Sequence, residues 1–197
     1  VDHGRTVRGS TAILDVCDRK GHAPVPLYPD DELPRREVEK LVARYDDRLG
    51  PVTRLWLYSW ALEDHEQLLR FSSAGLSRGQ RRRLRRMLPG VARVLRAAMK
   101  IGPETHERSA RQTDEELARV SERLSDGRPY LAGDRFTAAD LTFAALAAPV
   151  LMPPGYGGAA ITMPPEPPAL APDIERWRET PAGIHGMAIY RDWRAPA

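Results

Sequence analysis

Apolar positions recur at spacings of three and four along most of this chain, which is the helical period. Ile13, Leu14 and Cys17 make the first such set, on a helix predicted from Thr11 to about Lys20. Ser10 is its expected N-cap and Gly21 its expected stop. Before it, Gly9 turns the chain out of a predicted short strand, Arg5 to Arg8. Pro34 opens a second helix with the stripe Val38, Leu41, Val42, Tyr45 and Leu49. Gly50-Pro51 should interrupt it. The following segment, with Val52, Leu55, Trp56, Leu57, Tyr58, Trp60 and Leu62, is apolar on several faces and expected to be central.

The helical period continues through Leu84, Met87, Leu88, Val91, Leu95 and Ala98. It appears again after Pro103 in His106, Ala110, Thr113, Leu117, Val120 and Leu124, and Asp126-Gly127 should end that helix. Met152 to Pro172 is rich in proline and glycine and reads as a long surface excursion. Asp173 starts a short helix with Ile174 and Trp177 inward. Thr180-Pro181 is a cap-then-proline start for a last helix carrying Ile184, Met187, Ala188 and Tyr190, ahead of Trp193.

The densest agreement of signals lies in Tyr130-Leu131-Ala132-Gly133-Asp134-Arg135-Phe136-Thr137-Ala138-Ala139-Asp140-Leu141. Gly133 permits a tight turn. Thr137 is a good N-cap, and Asp140 at the third helical position can reach back to the Thr137 amide, a short-armed capping box. Phe136 before the cap and Leu141 after it form the hydrophobic-staple pair. Leu141 to Ala148 is apolar nearly all round, so this helix should lie inside the domain, and Pro149 should stop it.

Composition narrows the class. The chain has 197 residues, 42% of them hydrophobic, enough for one sizeable core. A net charge of +3 is mildly basic and implies no nucleic-acid partner by itself. The single cysteine allows no internal disulfide and fits a reducing compartment. No run reaches the length of a bilayer span, and the polar start shows no signal peptide. The expectation is a cytoplasmic protein. The opening Val1-Asp2-His3-Gly4, with no initiator methionine, suggests that a front part is missing.

Two features invite a chemical reading. Gln80-Arg81-Arg82-Arg83-Leu84-Arg85-Arg86 looks like a nucleic-acid patch in isolation. On a helix, however, Arg82, Arg85, Arg86, Arg93 and Arg96 oppose the apolar stripe, which is what a solvated face does; a docking site for acidic ligands or a membrane surface is the alternative. No aromatics interleave there for base stacking. Pro89 falls on the polar side, where a kink is expected. His65 and His106 are isolated from any ligand set, so no metal is assigned.

The run YLAGDRFTAADLTFAAL resembles the C-terminal helical domain of the glutathione S-transferases, whose core helix carries this cap and staple. The resemblance extends from about Ser10 to Arg194. It implies a mainly α fold: a glutathione-transferase-type helical bundle (35–197), a linker (23–34) containing Pro26-Leu27-Tyr28-Pro29, and a strand-and-helix remnant (1–22) of a thioredoxin-like domain. It implies glutathione as co-substrate. Ser10, with Thr11 beside it, matches the position that holds the γ-glutamyl carboxylate, although Gly9 stands where the family has an acidic or amide residue. Ser10 as a plain cap remains the other reading.

By the same resemblance, Tyr45 and Trp56 are candidate lining residues of an electrophile pocket, to which Met152 and Tyr156 could contribute. Core packing is the alternative for the two aromatics. Phe136, Thr137, Asp140 and Leu141 carry structural roles. The family's catalytic Ser, Tyr or Cys matches nothing in this chain. Cys17 is no substitute, because a mid-helix thiol on an apolar face is expected to be a small core side chain. Two functions follow. The first is a glutathione transferase acting on small electrophiles, typically a homodimer, with little activity in this chain alone. The second is a non-enzymatic helical docking module that uses the basic helix 80–96 for acidic partners.

Overall fold

A computed structural model describes residues 6–21, 25–63, 66, 68–69, 75–156 and 168–193. Helices make up its regular structure: α1 (Ser10–Lys20), α2 (Glu32–Arg44), α3 (Gly50–Ala61), α4 (Arg78–Ala98), α5 (Thr105–Arg123), α6 (Ala138–Leu151), α7 (Ala171–Arg178) and α8 (Pro181–Trp193). A π turn, Tyr45–Leu49, joins α2 to α3 without a break. Expectations at Arg5, His22, His65, residues 157–167 and Arg194 lie outside the described residues.

Helix α6 is the hub. It packs against α2, the π turn, α3, α7 and α8, and ten of its residues are buried. Its capping box matches the sequence reading. Asp140 accepts the Thr137 amide and the Thr137 hydroxyl, each at 2.9 Å, and the Thr137 side chain faces the Asp140 amide. Phe143, Ala147 and Val150 are sealed from water, whereas Leu141 is only half-buried. The Phe136 ring lies flat on Trp193 at 4.1 Å and meets Tyr130 edge-on at 6.1 Å.

Both expected proline breaks are corrected. Gly50-Pro51 sits inside a continuous helical rod. The Gly50 amide bonds to the Tyr45 carbonyl, an i→i+5 step that re-registers the turn and absorbs the proline. Helix α6 also continues past Pro149 to Leu151 and closes on Met152 in a left-handed conformation, φ 42°. Pro149 removes the bond that Ala145 would have received. Ala145 is the one exposed residue of α6, so water can take its carbonyl. The next carbonyl, Leu146, accepts the buried Thr53 hydroxyl at 2.7 Å. Gly50 lets this contact form: a Cβ there would stand 3.0 Å from Leu146 Cδ2.

Around the hub, Trp56 and Trp177 meet edge to face at 4.9 Å, and Tyr45 packs on Phe143 at 5.6 Å. Burying each of these side chains contributes on the order of 2–3 kcal/mol relative to exposure. Helix α5 presents Thr105, Ser109, Thr113, Leu117 and Val120 inward. Its two central hydroxyls donate back up the helix, Ser109 to Thr105 and Thr113 to Ser109.

The N-terminal expectations need three corrections. Residues 6–8 form no strand. Ser10 is the first helical residue rather than the cap, a place taken by Gly9 with φ 91°. Cys17 is exposed, and so is Ile13; only Leu14 of that stripe reaches the core. Polar ties hold α1 instead. Asp18 accepts the Leu27 and Tyr28 amides at 2.6 and 3.1 Å, and Asp15 pairs with Arg35.

Helix α4 stands apart. Its Leu88 and Ala92 join Leu62, Leu68 and Leu69 in a second small cluster. Leu84 and Leu95 of the expected apolar stripe pack against this cluster, whereas Met87 and Val91 of that stripe are open to solvent, as are Val94 and nearly every arginine of the helix. No helix among the described residues is long and apolar enough to cross a membrane.

Candidate functional site

The start of α1 is a cluster of unsatisfied donors. The first intrahelical bond runs from Ile13 to Gly9, so the amides of Ser10, Thr11 and Ala12 have no partner within the helix. Partial positive charge collects there. The Thr11 hydroxyl donates to Asp46 Oδ2 at 2.7 Å. Asp46 belongs to the π turn, so this bond places the exposed Ser10 beside the one irregular turn of the α2–α3 rod. The result is a surface spot with amide donors, a serine hydroxyl and one carboxylate: a pattern suited to a ligand end carrying both an anion and a cation.

The linker is tied to this region from two sides. Asp18 holds the amides of Leu27 and Tyr28, while the Leu27 carbonyl accepts the Ala138 amide at 3.0 Å. The linker therefore couples α1 to the first turn of α6. Arg35 lies over the Tyr28 ring at 5.1 Å.

The four residues expected to line a pocket do not share one place. Tyr45 and Trp56 are buried in the core. The Tyr45 hydroxyl and the Trp56 indole nitrogen have no hydrogen-bond partner among the described residues. Burial pushes the Tyr45 hydroxyl far above the ordinary tyrosine range, the wrong direction for a group that ionises during a reaction. Met152 is nearly buried at the end of α6, and Arg178 donates to the carbonyls of Leu151 and Met152 at 2.7 and 2.8 Å. Tyr156 is half-buried, within electrostatic reach of Tyr190, Tyr58 and Arg54. Burial pushes its hydroxyl up to about 12. The Tyr156 group is a second locality, on the α3–α8 side.

Two polar constellations escaped the sequence reading. Asp140 is fully buried and, besides its cap bonds, accepts the Leu131 amide at 2.8 Å and meets His185 Nε2 at 3.0 Å. His185 lies 45 positions away on α8, and no local signal announces it. Ser59 and His106 also meet, Oγ to Nδ1 at 3.1 Å. Ser59 nevertheless donates to its own helix, to the Trp56 carbonyl at 2.8 Å, and is buried, so the pair is packing rather than a nucleophile with its base. No group of metal-ligating side chains occurs among the described residues.

A helical bundle wrapped around an N-capped, buried α6 defines the fold class. Residues 91–182 match the family model of the glutathione S-transferase, C-terminal domain. That match covers somewhat less than half of the chain and shows its similarity to the C-terminal domain of the glutathione S-transferases. The crystal structure of beta-etherase LigF from Sphingobium sp. strain SYK-6 is similar in fold. Its TM-score is 0.50 and its identity 21%, over 94% of this chain and 74% of that one. No curated protein matches.

Proposed function

We propose that this chain contributes the helical part of a glutathione-dependent enzyme that joins the glutathione thiolate to an electrophilic small molecule. The spot formed by Ser10, Thr11 and Asp46 is the observation that carries the reading. In it, the free amides and hydroxyl at the start of α1 receive the γ-glutamyl carboxylate. Asp46, 2.7 Å from Thr11, supplies negative charge for the neighbouring ammonium, in place of the acidic residue absent before Ser10. The electrophile lies toward Met152 and Tyr156, the less buried of the candidate lining residues, rather than against the core residues Tyr45 and Trp56.

The group that activates the thiol is not among these residues. An activating group must favour the thiolate, and Tyr45 is buried with its pKa raised. The chain alone therefore binds glutathione weakly and turns over little. Titration calorimetry with glutathione should show binding that Ser10→Ala and Asp46→Asn each weaken several-fold. Binding unchanged by both substitutions would remove the site. Robust conjugation of glutathione to a chlorinated aromatic acceptor by the 197-residue chain would refute the assignment of the catalytic group elsewhere.

A further inference from the structure

Helix α4 has more apolar surface than the protein covers. Leu84, Leu88, Ala92 and Leu95 lie along one edge of its stripe and face Leu62, Leu68 and Leu69. The other edge, Met87, Val91 and Val94, follows the i, i+4, i+7 rule of a single helical strip. These three side chains are 52%, 41% and 67% exposed. From Arg78 to Lys100 the sequence carries nine cationic side chains and no carboxylate. Arg85 pairs with Glu66 across the cluster, while Arg83, Arg86 and Arg93 are exposed on the side that borders the open strip.

We propose that α4 docks flat on an anionic lipid surface, with Met87, Val91 and Val94 entering the headgroup boundary and the bordering arginines reaching lipid phosphates. Both halves of the observation are needed. A nucleic-acid backbone would engage the arginines and leave the apolar strip in water, and no aromatic stands on that face to stack on a base. A second copy of the chain would bring the same nine positive charges against this face, which opposes association. A bilayer boundary satisfies the strip and the charges together. Helices with a cationic side and a modest apolar side bind such surfaces in plane, and guanidinium groups on long stems extend to the phosphate level. Among the described residues the helix packs along its Leu84–Leu95 edge, and the strip of Met87, Val91 and Val94 is exposed. This inference is independent of the glutathione site.

The full 197-residue chain should cosediment with vesicles of phosphatidylcholine containing phosphatidylserine, and not with phosphatidylcholine alone, with binding weakened by salt. Each arginine near such a surface strengthens partition roughly fivefold. Replacing Arg83, Arg86 and Arg93 by glutamine should therefore weaken it roughly a hundredfold. Changing Met87, Val91 and Val94 to serine should weaken it about tenfold. A nitrobenzoxadiazole label on Val94→Cys in a Cys17→Ser background reads insertion without altering the rest of the strip. Its emission should shift to the blue on anionic vesicles. Absence of vesicle binding overturns the proposal. So does binding that survives the serine changes with the label still in water, which would point to an acidic protein or a nucleic acid as the partner of a purely electrostatic face.

Discussion

Replacing Asp140 by alanine tests the centre of the fold. The carboxylate accepts the Leu131 amide at 2.8 Å, the Thr137 amide and hydroxyl at 2.9 Å each, and faces His185 Nε2 at 3.0 Å. All of this happens at a fully buried position. Losing the cap costs about 1 kcal/mol. The Leu131 and Thr137 amides would be left buried without partners, at roughly 1–3 kcal/mol each. Because the bonds share one carboxylate they are not additive, and a total loss of about 3–5 kcal/mol is expected. Asp140→Asn keeps one acceptor but turns an amide group toward the Thr137 N–H. Its expected loss is about 1–2 kcal/mol. Urea unfolding followed by far-UV circular dichroism measures both, with an unchanged slope confirming that the same surface is exposed. A marginal protein of this size has about 5–15 kcal/mol in total, so the alanine variant should sit close to unfolding at room temperature. An alanine variant within about 1 kcal/mol of the parent would refute the reasoning, since buried amides cannot lose their acceptor that cheaply.

Other perturbations follow from close approaches and burial. A Cβ on Gly183 would stand 2.0 Å from the Trp177 carbonyl oxygen, whereas one on Gly186 would stand 2.8 Å from Leu151 Cδ1. Backbone cannot yield as a methyl can, so Gly183→Ala should lower the melting temperature well beyond Gly186→Ala, which costs about 1–3 kcal/mol as an overpacked core. Alkaline stability should fall early. Tyr156 titrates near 12 in the folded protein against 10.0 for an ordinary tyrosine, and Tyr45 is raised further. The folded state then holds more protons than the unfolded one, so stability declines as pH climbs from about 10 toward 12. Tyr156→Phe should flatten that decline, and an unfolding midpoint independent of pH in this window would contradict the burial. Cys17 is exposed, so a thiol reagent such as dithionitrobenzoate should titrate it fully without denaturant; protection until unfolding would return it to the core.

The readable parts of this chain were those whose causes are local. The α6 start rests on residues three and four apart, and its turn, cap and buried run survive intact in the fold. Proline was over-read for the complementary reason. Its rule describes one missing N–H and one clash, and whether a helix ends there depends on neighbours elsewhere in sequence. At Pro51 a π turn shifted the register. At Pro149 the deprived carbonyl belongs to the exposed Ala145, so water meets the need and the helix runs on. Periodicity failed in a second way at Cys17 and at Met87 and Val91. Spacing says which side chains share a face, but not whether anything lies against it. On α1 carboxylates, Asp15 and Asp18, share the anchoring with Leu14, so Ile13 and Cys17 face water. On α4 one edge of a wide stripe meets a partner among the described residues. The site followed the same logic. Ser10 was legible from the start of a helix, one position out, because that signal is local. Asp46 was not, since its bond to Thr11 spans 35 residues and its own neighbours only mark an acidic helical turn. Apolar strips left without a neighbour are therefore where sequence and structure disagree most, and in α4 that disagreement coincides with a segment of nine cationic side chains and no carboxylate of its own, which is the combination the proposed bilayer docking uses.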